Sequence, residues 1–146
     1  MNIIPDNVEL EGTFRTFNEQ WRVKARERIE QIARLTAEAA GTTAEVNIVE
    51  GYPTLFNHPE TTNKVMQWAR EAIGELHVVD MNKRMTTDDF AVFSQLFPSV
   101  YMRLGTHNPH WNEKRSLHAA NFDIDERTMY NGVAVMTWSI VNLLHR

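Results

Sequence analysis

The sequence contains no cysteine. That absence rules out disulfides, thiolate nucleophiles and cysteine-built zinc sites, so any metal must be held by histidine, aspartate or glutamate. No run of about 18 apolar residues occurs, which excludes a membrane-spanning helix of ordinary length. A basic run is also absent, and the formal net charge is -4 over 146 residues. Nucleic acid and membranes are therefore not expected partners. The phosphate-cradling phrases are missing, with neither G-x-G-x-x-G nor a P-loop, and so is the G-x-S-x-G elbow of serine hydrolases. No basic stretch followed by an apolar one succeeds Met1, so no secretory leader is expected and the cytoplasm is the expected compartment. What is present is ordinary for a soluble chain: 42% hydrophobic and 23% charged residues, enough for one domain or two small ones.

Periodicity then organises the chain. Residues 8–16 alternate around Val8, Leu10 and Phe14, which predicts a strand with one buried face. Thr16 or Asn18 can cap a helix that runs to about Ala40. Its expected inner face is Ile29, Ile32, Ala33, Thr36 and Ala40, and Gly41 is its expected C-terminal stop. Residues 44–50 alternate again and predict a second strand. Gly51, Pro53 and Pro59 crowd into nine positions and mark the expected boundary or hinge. Beyond it, the spacing predicts a helix over 60–73 with Val65, Met66, Ala69 and Ile73 inward and Gly74 closing it. A short strand is expected over 76–79. A helix follows from the Thr86–Asp89 turn to about Phe97, stopped by Pro98. Residues 100–104 predict a strand and 106–121 a polar loop. Asp123, Asp125 and Glu126 open a last helix, as suits the positive end of its dipole. Met129, Val133, Met136, Ile140 and Leu144 are its expected inner face. Strands alternating with helices point to an α/β layer architecture.

Several groups can carry chemistry, each with a plainer alternative. His107, His110, Glu113 and His118 are four potential metal ligands within twelve positions, or simply a solvated loop. Asn108-Pro109 breaks any helix there, so His107 and His110 are not placed on one helical face by spacing. A self-contained site from His107, His110 and His118 is a further reading. Asp88 and Asp89 are adjacent and would diverge by about 100° on a helix, which suits a helix start better than a catalytic pair. Arg15, at a strand end, can grip a carboxylate with two parallel hydrogen bonds or serve as a surface ion-pair partner. Asn57 is by default a turn residue. Trp21, Trp68, Trp111 and Trp138 suit packing.

Read together, these phrases resemble a family. They are Asn2-Ile3-Ile4-Pro5-Asp6, Gly12-Thr13-Phe14-Arg15, Gly51-Tyr52-Pro53 with Asn57, Met85-Thr86-Thr87-Asp88-Asp89-Phe90, Leu117-His118, Asn121-Phe122-Asp123-Ile124-Asp125-Glu126, and Gly132. In this order they look like the C-terminal part of the dinuclear-metal aminoacylase and carboxypeptidase family. The amidohydrolase branch, which includes hippurate hydrolase and the N-acyl-amino-acid and auxin-conjugate amidohydrolases, is the most similar.

The resemblance implies the C-terminal part of a zinc-peptidase-like α/β catalytic domain over 53–146, preceded by half of an α+β lid and dimerisation domain over 1–52. It implies hydrolysis of the amide bond of N-acyl amino acids or small peptides, and a possible homodimer through the lid. His118 matches the family's last metal ligand, the ion being a divalent metal, most often Zn, with Mn, Co or Ni as alternatives. Arg15 matches a substrate-carboxylate arginine; Thr86 and Thr87 match a turn that presents backbone groups to substrate; Asn57 lies near the hinge on the substrate side. Asp88 and Asp89 are read as structural. The family's remaining ligands, its Glu-Glu base and the lid histidine have no counterpart here, so no catalytic residue is assigned. The expectation is a fragment, from a truncated gene product or one half of a split enzyme, inactive alone. The alternative is a non-catalytic binding or dimerisation module derived from the same family.

Overall fold

A computed structural model describes residues 5–113 and 115–145; residues 2–4 of the first phrase quoted above lie outside that range. The chain divides into two units, Met1–Thr54 with Arg84–Thr87, and Leu55–Lys83 with Asp88–Arg146.

The first unit is built on helix α1, Glu19–Ala39. Asn18 is its cap: the Asn18 side chain accepts the Trp21 N–H at 2.9 Å, while Thr16 Oγ1 accepts the Asn18 N–H at 3.1 Å. At the other end Gly41 takes φ +72. The Gly41 N–H then reaches the Glu38 carbonyl and the Thr42 N–H the Ala37 carbonyl, both at 2.9 Å, which closes the helix by a left-handed residue. Of the expected inner face only Ala33 is half-buried, while Ile29, Ile32, Thr36 and Ala40 are exposed. Ala25 is buried, whereas Ile29, Ile32 and Leu35 are exposed. The covered side carries Arg22 and Arg26, whose guanidiniums hold residues 50–52.

The second unit contains α2 (Pro59–Ile73), α3 (Phe90–Leu96) and α4 (Arg127–Leu144), with a 3-10 turn over Glu75–His77. Helix α2 starts at His58, whose ring accepts the Thr61 N–H, with Pro59 in the first turn where a missing N–H costs nothing. Gly74 at φ +93 ends it. Its inner side is Val65, Trp68 and Ala69, and it packs along α4. Ser94, buried on α3, accepts the Phe56 N–H at 3.1 Å and donates to the Ala91 carbonyl at 2.7 Å.

Helix α4 reverses the expected orientation. Its covered stripe is Thr128, Val135 and Ser139, with Gly132 between them meeting Leu104. Met129, Val133, Met136, Ile140 and Leu144, expected inside, are exposed. Part of the covered side meets residues 104–105, where the Thr128 hydroxyl donates to the Gly105 carbonyl at 2.9 Å, and α4 packs along α2, where the Trp138 ring N–H donates to Glu71 at 2.8 Å; the larger stripe has no covering layer among the described residues.

No strand forms among the described residues. Residues 8–16, 44–50 and 100–104 are not in a ladder, and the expected strand over 76–79 is replaced by the Glu75–His77 turn with extended Val78 after it. The reason is hydrogen bonding: a strand exists only beside another, and alternation alone supplies no partner for the backbone. Residues 44–47 still alternate, Ala44 and Val46 half-buried, Glu45 and Asn47 exposed.

Candidate functional site

In the first unit, the start of α1 grips the segment at 50–54. Glu19 Oε1 accepts both the N–H and the hydroxyl of Thr54 at 2.7 Å, and Arg22 lies 2.6 Å from the other Glu19 oxygen. Partial burial pushes the Glu19 carboxyl up, but the two Thr54 donors and Arg22 together outweigh it and hold it below the usual value. Arg22 also donates to the carbonyls of Gly51 and Tyr52 at 3.3 and 3.2 Å. This latch is not apparent from the sequence, because its partners are separated by about thirty residues. Arg15 is exposed and donates to the Met85 carbonyl, which places it beside the Thr86-Thr87 turn. Thr86 and Thr87 are both exposed.

In the second unit, Asn57 does the work of a strand neighbour. Its Nδ2 donates to the Tyr101 carbonyl at 2.9 Å and its Oδ1 accepts the Tyr101 N–H at 2.8 Å. Next to it the His58 N–H donates to the Ser99 carbonyl at 3.0 Å. The Tyr101 side chain turns to Asp88, donating its hydroxyl at 2.8 Å, and its ring lies 5.6 Å from that of Phe90. Asp88 also accepts the Phe90 N–H at 2.9 Å, which starts α3. That backbone donor, then the Tyr101 hydroxyl, lowers the Asp88 carboxyl; the same bond raises the Tyr101 phenol, which would lose its acceptor on ionising. The acidic pair is thus divided: Asp88 is tied to Phe90 and Tyr101, and Asp89 is exposed.

His118 is exposed and sits in the left-handed region, φ +67, the one described non-glycine residue there. It occupies the third position of a turn closed by the Ala119 N–H on the Ser116 carbonyl at 3.1 Å. Such a conformation costs roughly 1 kcal/mol or more and gathers at functional positions. Its neighbours in the loop are used otherwise. The His107 ring meets Trp111 edge-on at 5.9 Å, and the Arg115 guanidinium covers Trp111 at 4.4 Å. The His110 N–H donates to the Asn108 side chain at 2.9 Å. Asp125, buried at the start of α4, donates its N–H to the Thr106 carbonyl at 2.8 Å and pairs with Arg127 at 2.6 Å. That guanidinium lowers the Asp125 carboxyl.

Among the described residues no group of three or more histidines, aspartates or glutamates could hold a metal ion. The self-contained site from His107, His110 and His118 is therefore not formed. The five residues expected to meet substrate or metal are divided: Arg15, Thr86 and Thr87 belong to the first unit, Asn57 and His118 to the second.

Comparison with known proteins decides the family. The model of peptidase family M20/M25/M40 matches residues 3–141. The chain belongs to this family. Thermostable carboxypeptidase 1 of Saccharolobus solfataricus is 35% identical over 136 residues, which is 90% of this chain and 33% of that protein. The putative amidohydrolase YhaA of Bacillus subtilis is 29% identical over 96% of this chain and 35% of its own length. The IAA-amino acid hydrolase ILR1-like 6 of Arabidopsis thaliana is 28% identical over 92% of this chain and 30% of its own. The chain spans about a third of the length of these relatives. No solved structure matches. The M20 family binds divalent metals, but the donors of this chain do not assemble into a metal site among the described residues. No described helix, α4 included, is long and apolar enough to cross a membrane.

Proposed function

We propose that this M20 chain is the C-terminal part of a metal-dependent amidohydrolase that cleaves the amide bond of N-acyl amino acids or small peptides, and that it is inactive alone. The observation that carries the reading is the family match over residues 3–141. The relatives' names support the bond type, since a carboxypeptidase, an amidohydrolase and an IAA-amino acid hydrolase all act on an amide or amino acid. In this reading Arg15 binds the substrate carboxylate, Thr86 and Thr87 present backbone groups, and Asn57 shapes the wall beside them. His118 contributes one neutral imidazole to a zinc ion. The exposed Ile29, Ile32 and Leu35 face of α1 is the homodimer surface of the lid.

One ligand does not make a hydrolytic zinc site, which takes about three protein ligands, a bound water and a base. These residues do not fit the family's dinuclear group by themselves, and no chemical step is assigned to them. The test is direct. Purified residues 1–146 are mixed with N-acetyl and N-benzoyl amino acids in the presence of zinc, and released amino acid is measured. No turnover and sub-stoichiometric zinc are expected. Turnover with one or more equivalents of bound zinc overturns the claim that the chain is inactive alone.

A further inference from the structure

Tyr101 ties together three stretches of the second unit that lie far apart in sequence. The Asn57 amide holds both of its backbone groups, accepting the N–H at 2.8 Å and donating to the carbonyl at 2.9 Å. Its hydroxyl donates to Asp88 Oδ2 at 2.8 Å, and its ring lies 5.6 Å from that of Phe90. The hydroxyl is the part that residue type decides. Any residue but proline at this position offers the same backbone to Asn57, and a ring contact with Phe90 needs no oxygen.

Asp88 uses both carboxylate oxygens. Oδ2 accepts the Tyr101 hydroxyl, and Oδ1 accepts the Phe90 N–H at 2.9 Å, one of the donors that a helix start leaves without a backbone partner. The Asp88 carbonyl accepts the Ala91 N–H at 3.2 Å. Hydrogen bonds to a carboxylate are stronger than neutral ones, and two of them fix its side-chain angles. Thr87 is bonded to Asp88, so the place of Asp88 decides where the Thr86-Thr87 turn ends. The contrast in exposure is abrupt: Thr86 and Thr87 are exposed, while Asn57, Asp88, Phe90 and Tyr101 are half-buried. A backbone ordered in advance spares a ligand the entropy of ordering it.

We propose that Tyr101 is a positioning residue: its hydroxyl, seated on Asp88, fixes the end of the Thr86-Thr87 turn and so orders the backbone groups that this turn offers to substrate. What the turn meets rests on the function proposed above; the tie between Tyr101 and Asp88 does not. Asn57 belongs to the same arrangement at one remove, because it holds the Tyr101 backbone from which the hydroxyl reaches Asp88.

Tyr101→Phe in residues 1–146 removes the hydroxyl and keeps the ring and the Asn57 clamp. Amide hydrogen exchange, read residue by residue by NMR, is expected to quicken about tenfold at Phe90, as for the loss of one hydrogen bond. It is expected to stay unchanged at Tyr101, whose N–H lies on Asn57, and at Thr62 in α2, whose N–H lies on the His58 carbonyl. Asp88→Ala is expected to repeat the pattern. Asp88→Asn is expected to restore slow exchange, its oxygen accepting the Phe90 N–H and its amide donating to the phenol oxygen. A uniform rise at all three positions, or no rise at Phe90, overturns the proposal. Should Tyr101→Phe fail to fold, the two Asp88 variants decide, and equal exchange at Phe90 in both overturns it. A second measurement titrates N-benzoylglycine into the unaltered chain and Tyr101→Phe while following the Thr86 and Thr87 amide resonances. Both are expected to shift, with an apparent Kd about threefold weaker in Tyr101→Phe; an equal Kd overturns the positioning role. Resonances that ignore the ligand in the unaltered chain, with the exchange pattern as expected, overturn the substrate reading of the turn and leave the tie standing.

Discussion

Helices α1 and α4 are the two longest elements, each expose large apolar side chains, and differ in why. Nine of the 21 residues of α1 are charged, whereas α4 has only Arg127. Pairs such as Glu30–Arg34, one turn apart, suit α1 to water. Ile32 and Leu35 are a stripe on an otherwise solvated helix. Helix α4 has no charged side, only scattered exposed polar groups such as Asn131 and Thr137. An amphipathic helix needs one covered apolar face and a charge-free one more, and on neither α1 nor α4 is the stripe of large apolar residues the covered one.

The comparison is broken most sharply on α4 itself. Val135 is 3% exposed; Val135→Asp buries an unpaired carboxylate and is expected to cost about 3–5 kcal/mol, abolishing the thermal transition of the second unit followed by circular dichroism. Val133→Asp, two residues away on the open face, is expected to leave that transition in place in the isolated chain and to raise solubility. Equal damage from both would mean that α4 is already covered on each side. Next in size is Asn57→Ala. It strips two hydrogen bonds from the Tyr101 backbone, and is expected to cost about 2 kcal/mol in the urea midpoint. Asn18→Ala tests whether α1 depends on its own cap, with an expected loss of about 1 kcal/mol and reduced helicity. The smallest effect is on pH. The Asp88 carboxyl is held below 3.8, first by the Phe90 N–H and then by the Tyr101 hydroxyl. A depressed folded value means its stabilisation is present above 3.8 and is lost as pH falls from there through the lower folded value. Asp88→Asn is therefore expected to flatten the acid limb of a pH–stability curve below pH 4, without changing its slope near neutrality.

What could be read in the residues was local. The stops at Gly41 and Gly74 both take left-handed backbone, as a glycine past the last turn predicts. Asn18 and Thr16 both act at the start of α1. The His58 cap is not legible in the residues because histidine is a poor capping type; Pro59 behind it is the available signal. Periodicity selects the wrong inner faces on α1 and α4, because the largest apolar stripe does not face the chain's own core. Four strands were expected from alternation, and none is paired among the described residues. In the candidate site, residue type nominated Arg15, Asn57 and His118, but not the Glu19–Thr54 latch or the Tyr101–Asp88 bond. Those depend on which distant segments meet.

By itself the sequence determined the M20 family, the places where helices begin and end, and the exclusion of thiolate chemistry. These are settled by residue identity and by hydrogen bonds within a turn or two of the chain. Only the tertiary structure decided that α4 buries Thr128, Val135 and Ser139 rather than its larger stripe, that Asn57 pairs with the Tyr101 backbone, and that the loop histidines form no metal site. Each of those depends on a neighbour far along the chain, and packing chooses among faces that periodicity leaves equivalent.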